Sequence, residues 1–124
     1  MTMTEKSDAT LVADVLNGRT EAFEDLVHRH QHYAYGTAIS VLSDFEMAQD
    51  VVQEAFLAAY QELESLRDST RFGAWVCGIV RHMAHRGLRE IARARDMVQS
   101  ALARLTGKNR EVVSLHYVER LSYA

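Results

Sequence analysis

Residues 43–64 of this chain, SDFEMAQDVVQEAFLAAYQELE, carry the pattern that decides the fold. On a period of 3.6 residues one side of the stretch is apolar, while the other mixes carboxylates, amides and leucine. The apolar side consists of Ala48, Val52, Ala55, Ala59 and Leu63, and the polar side of Asp50, Gln53, Glu54, Leu57 and Gln61. Phe56 and Tyr60 lie at the border between them. The stretch is therefore predicted to be an amphipathic helix capped by Ser43 or Asp44.

The other segments also repeat apolar residues at spacings of three and four, and the chain has no proline, so we predict an all-α, compact helical bundle. A short helix starts at Ser7 or Asp8 and ends near Gly18, and Thr20 caps a long second helix. Residues 64–70 form a loop before an arginine-rich helix. The pattern weakens over residues 90–105, where ARARD is predicted to be a charged connection. A last amphipathic helix follows Gly107 and carries Val112, Val113, Leu115 and Val118.

Two neighbouring stretches have opposite charge. Residues 43–64 hold six acids and no Lys or Arg, whereas residues 67–95 hold seven arginines against Asp68 and Glu90, so the net charge changes from −6 to +5. This contrast predicts one face suited to a basic partner and another suited to phosphate. The alternative is that both stretches are simply solvated helix faces.

Composition limits the class of protein. The length of 124 residues suits one domain, or a small domain and part of another. The single cysteine, Cys77, permits no internal disulfide, which fits a reducing compartment. No secretory signal is visible, and the apolar runs are shorter than the roughly 20 residues that cross a bilayer. We therefore expect a cytoplasmic protein with no membrane partner.

The arginine-rich helix and the loop before it favour binding to single-stranded or opened DNA, because guanidinium groups bind phosphates and stack on bases. Leu66 is the candidate for touching a base, whereas Phe72 and Trp75 lie on the apolar stripe and are assigned to the core. His28 and His32 are four residues apart, but two ligands do not make a zinc site. The sequence contains no catalytic constellation, so we predict no enzyme activity and no cofactor.

The segments DVVQEAFLAAYQELESL and RFGAWVCGIVRHMAHRGLR together resemble region 2 of bacterial sigma factors, in the extracytoplasmic-function (ECF) group of the sigma-70 family. The final segment, LTGKNREVVSLHYVERLSYA, resembles the opening of region 4. The resemblance implies a region 2 domain over residues 1–95, a linker over 96–107 and a truncated start of region 4 over 108–124. Because Ser122 looks like a helix cap two residues before the end, we expect the protein to continue.

The resemblance also implies partners and site residues. The polymerase-binding residues would dock on the β′ clamp helices of core RNA polymerase: Asp50, Gln53, Glu54, Phe56 and Leu57. A base flipped from the non-template strand of the promoter −10 element would enter the loop formed by Leu66, Arg67, Ser69, Thr70 and Arg71, with Ile79 and His82 beside it. Arg81, Arg86 and Arg89 would hold backbone phosphates. His82 stands where the family usually has asparagine.

An anti-sigma factor that covers these faces is a further partner that the resemblance suggests. Two alternatives to a promoter-reading sigma factor stay open at this point. One is a sigma-like interaction module that titrates a partner without promoter activity. The other is a metal-dependent helical-bundle enzyme built on the histidines.

Overall fold

The computed structural model of the protein describes residues 5–106. These residues form four α-helices and contain no strand: α1 (Asp8–Leu16), α2 (Ala22–Leu42), α3 (Phe45–Gln61) and α4 (Phe72–Thr106). Two 3₁₀ turns, Leu63–Ser65 and Ser69–Arg71, connect α3 to α4. The prediction of an all-α protein is confirmed. The predicted helix over residues 108–124, with its valines and Leu115, lies outside the described residues.

Local capping chemistry sets most helix ends. The Ser7 hydroxyl accepts a hydrogen bond from the Thr10 backbone N–H at 3.2 Å, and Asp44 accepts one from Met47 at 3.0 Å, so two predicted caps are confirmed. Gly18 follows α1 with a φ of 99°, a conformation that favours glycine. The predicted Thr20 cap is wrong. α2 begins at Ala22, because the carbonyls of the preceding turn already accept the first N–H groups of the helix.

The four helices bury one apolar core. α4 contributes Phe72, Val76, Val80 and Ala84, one residue per turn, and each is fully buried. α2 and α3 contribute mainly small residues, and Ala34, Ala38, Ala48, Ala55 and Ala59 are also fully buried. Because alanine side chains are short, the backbones of these helices can approach closely. One stripe of α2 is buried or partly buried along its length: Phe23, Leu26, Val27, His30, Ala34, Ala38, Val41 and Leu42.

The prediction that ARARD, residues 92–96, is a charged connection is wrong, since α4 continues without a break to Thr106. The physical reason is local. Between Gly87 and Gly107 the chain has no glycine or proline, and Ala, Arg, Leu, Met and Gln, all strong helix formers, predominate. Residues 89–106 belong to a second compact unit, whereas the first unit ends at Leu88. The domain boundary near residue 95 and the linker over 96–107 stay predictions.

Within the first unit, His30 joins three helices. Its Nε2 lies 2.8 Å from Asp8 Oδ2 in α1, and the neighbouring Arg29 Nη1 lies 2.9 Å from Asp8 Oδ1. The imidazole also packs on Phe72, with ring centroids 5.4 Å apart. A Cβ on Gly73 would lie only 2.8 Å from two atoms of this ring. Glycine at position 73 therefore lets α4 begin directly against α2.

Asp14 is the one charged side chain buried among the described residues, at 7% exposure. Its carboxylate accepts hydrogen bonds from Lys6 Nζ and Arg19 Nη1, both at 2.8 Å. The hydrogen bond from Lys6 is the largest cause that lowers the pKa of Asp14, and Arg19 adds to it. The pair of cations therefore stabilises the ionised form at the end of α1. None of the described helices is both long and apolar enough to span a membrane.

We predict that Gly73→Ala lowers the free energy of unfolding by about 1–3 kcal/mol, because the added methyl group collides with the His30 ring. Gly36→Ala is the matched control, since a Cβ there meets nothing within 4 Å, and it should stabilise α2 by about 0.5–1 kcal/mol. Urea unfolding followed by circular dichroism measures both. Equal effects of the two substitutions would contradict the close approach of His30.

The free energy of unfolding should also depend on pH through the ionisation of Asp14. Its folded pKa is below the ordinary value of 3.8, so the stabilisation is complete above that pH and is lost as the pH falls through the folded pKa. Asp14→Asn should therefore destabilise the protein at neutral pH, and its difference from the wild type should shrink as the pH falls below 3.8. Asp25→Asn, an exposed acid on α2, is the control. A pH-independent difference for Asp14→Asn would rule out this linkage.

Candidate functional site

The outer side of α3 is acidic and partly apolar. Asp50, Gln53 and Glu54 are exposed, and Leu57 lies beside them with 58% of its surface exposed. No cation within residues 5–106 forms an ion pair with Asp50 or Glu54. Four of the five predicted polymerase-binding residues thus share one accessible surface, which we call the acidic face: Asp50, Gln53, Glu54 and Leu57.

Phe56, the fifth residue of that set, is placed differently. It is only 6% exposed, and its ring meets Phe23 of α2 edge to face at a centroid distance of 6.5 Å. The physical reason is its position one residue after Ala55, which turns the ring into the α2–α3 contact. Phe56 is therefore a core residue, and it reaches the surface only at the edge of a groove.

That groove lies between α2 and α3 and has a volume of about 730 Å³. Its α2 wall consists of Val27, Gln31, His32 and Tyr35, and its α3 wall of Gln49, Val52, Gln53 and Phe56. Gln53 belongs both to this groove and to the acidic face. Sequence reasoning missed the α2 wall, because the pairing of two helices cannot be read from the periodicity of either one.

The loop before α4 is organised by Asp68. Its carboxylate accepts hydrogen bonds from the backbone N–H of Thr70 at 3.1 Å and from the Thr70 hydroxyl. The hydroxyl bond is the largest cause that lowers the pKa of Asp68. Thr70 therefore donates its hydroxyl proton inside the loop. Leu66 is partly buried against the core, whereas Arg67 and Arg71 are exposed and Ser69 is partly buried.

A second groove, of about 580 Å³, lies between the end of α3 and α4, and we call it the α4 groove. It brings together three predicted DNA-binding residues, namely Ile79, His82 and Arg86. The remaining lining residues are Ala58, Glu62, Ala74, Trp75, Gly78 and Met83. A Cβ on Gly78 would meet nothing within 4 Å, so the groove is open at that position.

Other predicted DNA-binding residues do not line the α4 groove. Arg81 is exposed but lies five residues before Arg86, about 140° around the helix. Arg89 is exposed and belongs to the second unit, so we describe it by itself. The loop residues from Leu66 to Arg71 are also absent from the lining. The predicted set is therefore spread over the groove, the loop and another side of α4.

Phe72 and Trp75, which the pattern assigns to the core, have different environments. Phe72 is fully buried, as predicted. Trp75 packs on Phe72, with ring centroids 6.0 Å apart, but it is partly exposed and lines the groove. Trp75 therefore packs against the core, as predicted, and in addition borders the groove. Its indole supplies an aromatic surface in the groove that Arg86 also lines, and aromatic and guanidinium groups together can bind unstacked bases and their phosphates.

The histidines are dispersed. His30 uses its Nε2 in the bond to Asp8, and His28 lies 3.9 Å from Glu24. His82 lies in the α4 groove and His32 in the α2–α3 groove. Over residues 5–106 no group of three or more metal-ligating side chains is present. The described residues thus do not bring the histidines together.

The amino-acid sequence of the chain is similar to that of known proteins. Residues 26–94, more than half of the chain, match the family model "Sigma-70 region 2". The chain is 37% identical over 92 residues to the RNA polymerase sigma-H factor of Pseudomonas aeruginosa, covering 70% of this chain and 48% of that protein.

Two further relatives are ECF sigma factors. The ECF RNA polymerase sigma-E factor of Escherichia coli is 37% identical over 70 residues, covering 56% of this chain and 36% of the relative. The ECF RNA polymerase sigma factor SigW of Bacillus subtilis is 28% identical over 72 residues, covering 58% and 38%. The chain spans less than half the length of these three relatives.

The openness of the α4 groove can be tested at Gly78. We expect Gly78→Leu to leave the fold intact, because the new side chain enters free space, and to weaken binding to a single-stranded oligonucleotide about tenfold by filling the groove. Gly36→Leu is the matched control, a helical glycine with equal free space on α2. Thermal unfolding and fluorescence anisotropy measure the two effects. Unchanged binding by Gly78→Leu would exclude the groove as a nucleic-acid site.

Proposed function

Because this chain belongs to the sigma-70 family, we propose that it is an ECF-type sigma factor that binds core RNA polymerase and directs recognition and melting of the promoter −10 element. The observation that supports the proposal is that α3 contributes to both the acidic face and the α4 groove. One side of this helix carries the acidic face, and its last turn and the capping residue after it supply Ala58 and Glu62 to the α4 groove. One rigid element can therefore hold polymerase and opened DNA at a constant distance.

The acidic face is the surface for polymerase. Among residues 5–106 no cation pairs with its two carboxylates, and Leu57 supplies an exposed apolar contact beside them. A basic and partly apolar helix, as the resemblance implies for the β′ clamp, is complementary to it in charge and in contact area. Uncompensated carboxylates also raise the rate of encounter with such a partner.

The α4 groove is the surface for the non-template strand. Trp75 and Ile79 offer an apolar wall on which a base can rest, and Arg86 offers a cation to the phosphate. His82 can donate or accept a hydrogen bond at the same wall. Binding of this kind requires unstacked bases, so it favours opened over duplex DNA.

Further predicted DNA-binding residues lie outside the α4 groove. As the resemblance implies, Arg81 and Arg89 hold phosphates outside the groove. The flipped base lies beside Ile79 and His82 and is received by the loop residues Leu66, Arg67, Ser69, Thr70 and Arg71. The start of region 4 over residues 108–124 and an anti-sigma factor that covers both surfaces stay predictions of the resemblance.

Transcription in vitro tests the proposed function. Core RNA polymerase is supplied with the full-length protein and a cognate promoter, and permanganate reactivity of unpaired thymines reports strand opening. The proposal expects polymerase binding, strand opening and a specific transcript. Polymerase binding without strand opening would contradict it and favour a titrating module.

Reversal of the charge at Asp50 tests whether the acidic face binds polymerase. Asp50→Arg should weaken binding to core polymerase at least about tenfold, because it places like charges across the contact, and should leave the unfolding temperature within a few degrees of the wild type. Asp25→Arg makes the same charge change at an exposed position that lines a groove between α1 and α2. Equal losses of affinity in both variants would show a general effect of net charge instead of a docking surface.

Arg86→Ala tests the phosphate contact. The variant should bind promoter DNA more weakly within the polymerase complex, and the slope of log affinity against log salt should become shallower by about 0.7, the contribution of one phosphate on a single strand. Arg104→Ala, an exposed arginine near the end of α4, is the control with equal loss of charge. An unchanged salt slope for Arg86→Ala would remove this residue from the phosphate path.

A further inference from the structure

Glu62 is a carboxylate on the wall of a groove that otherwise suits a polyanion. It lines the α4 groove together with His82 and Arg86. Neither Glu62 nor Arg86 takes part in an ion pair or side-chain hydrogen bond among the described residues. The acid therefore does not neutralise the arginine, and both groups stay available to a ligand.

The position of Glu62 is set by the backbone. Its N–H donates to Ala58 O at 2.9 Å, which ends α3, and its carbonyl accepts from the backbone N–H and the hydroxyl of Ser65 at 2.9 and 2.7 Å. Three hydrogen bonds thus hold this residue where the chain leaves the helix. The backbone of Glu62 is therefore fixed at the edge of the groove, and its exposed carboxylate has the groove within reach.

A DNA strand that enters the groove brings phosphates, which an ionised carboxylate repels. An unpaired carboxylate next to a bound phosphate lowers the affinity of the groove for DNA. A hydrogen-bond donor on the bound DNA offsets this loss when it pairs with the carboxylate. On single-stranded DNA the donors are on the bases. An ionised carboxylate only accepts hydrogen bonds, so it binds a base more strongly when the edge of that base carries N–H donors.

We propose that Glu62 selects the base that occupies the α4 groove, by accepting a hydrogen bond from an exocyclic amino group. Adenine, cytosine and guanine carry such a group, whereas thymine presents one N–H between two carbonyl oxygens that repel a carboxylate. One position of the opened strand should therefore discriminate against thymine. This inference rests on the proposed function, because it needs single-stranded DNA in the α4 groove.

The experiment uses the complex of core polymerase with the full-length protein and fork-junction DNA whose single-stranded segment carries each base in turn at every position. At one position we expect thymine to weaken binding at least about fivefold relative to the preferred base. Replacement of the preferred base by an analogue without the amino group, purine for adenine or pyrimidin-2-one for cytosine, should produce a similar loss.

Variants of Glu62 assign the discrimination to this side chain. Glu62→Ala should abolish the effect of the amino group, and Glu62→Gln should reduce it, because an amide can also donate to thymine. Glu64→Ala is the matched control, an exposed acid two residues away that does not line the groove, and it should retain full discrimination. Discrimination that persists in Glu62→Ala, or that Glu64→Ala also abolishes, would overturn the inference.

The outcomes separate this inference from the proposed function. If the wild-type complex binds and opens promoter DNA but Glu62→Ala keeps the same base preference, only the role of Glu62 is lost. If the wild-type complex fails to bind the single-stranded segment at all, the proposed function fails, and the selection of a base by Glu62 fails with it.

Discussion

The buried ridge of α4 is the constraint on which the α4 groove depends. Phe72, Val76, Val80 and Ala84 follow one another at intervals of four residues and are fully buried, so the helix cannot rotate about its axis without exposing them. The first of these residues is the most constrained. The Phe72 ring lies 6.1 Å from Phe23 and 5.4 Å from His30, centroid to centroid, and both partners belong to α2. With this ridge in the core, Gly78, His82 and Arg86 necessarily border the groove on another side.

α3 packs on α2 with one side and carries the acidic face on the other. Its buried positions are mostly alanine, which brings α2 and α3 close, and its outer positions are free to be acidic. The charges of α3 and of the arginine-rich part of α4 do not pair with each other among the described residues. The unpaired charges cost little on a solvated surface, and they stay available for partners of opposite sign.

Features controlled by local chemistry could be predicted from the sequence. The amphipathic pattern of α3 and the caps at Ser7 and Asp44 depend on neighbouring residues, and all three are confirmed. The burial of Phe56 could not be predicted in this way. A residue at the border of two helix faces is buried or exposed according to the helix that packs against it, and the helical period does not show which. The same reason applies to Trp75, which packs on the core and lines a groove at once.

Other features depended on contacts far apart in the chain. The fit of Gly73 against His30 joins residues 43 positions apart, and no local pattern marks it. Glu62 lines the α4 groove only because the chain turns after α3, whereas by sequence it is one of the six acids of residues 43–64. The extension of α4 to Thr106 follows from helix propensity, whereas the weak apolar period of residues 90–105 alone predicts a break.

Hydroxyl-radical footprinting of one sample in two stages tests the central claim that the two surfaces act separately. The oxidation rates of Leu57 on the acidic face and of Trp75 and Met83 in the α4 groove are measured by mass spectrometry. Core polymerase alone should protect Leu57 and leave Trp75 and Met83 reactive, and addition of single-stranded −10 DNA should then protect the latter two. Protection of all three residues by polymerase alone, or of none after DNA is added, would contradict the account.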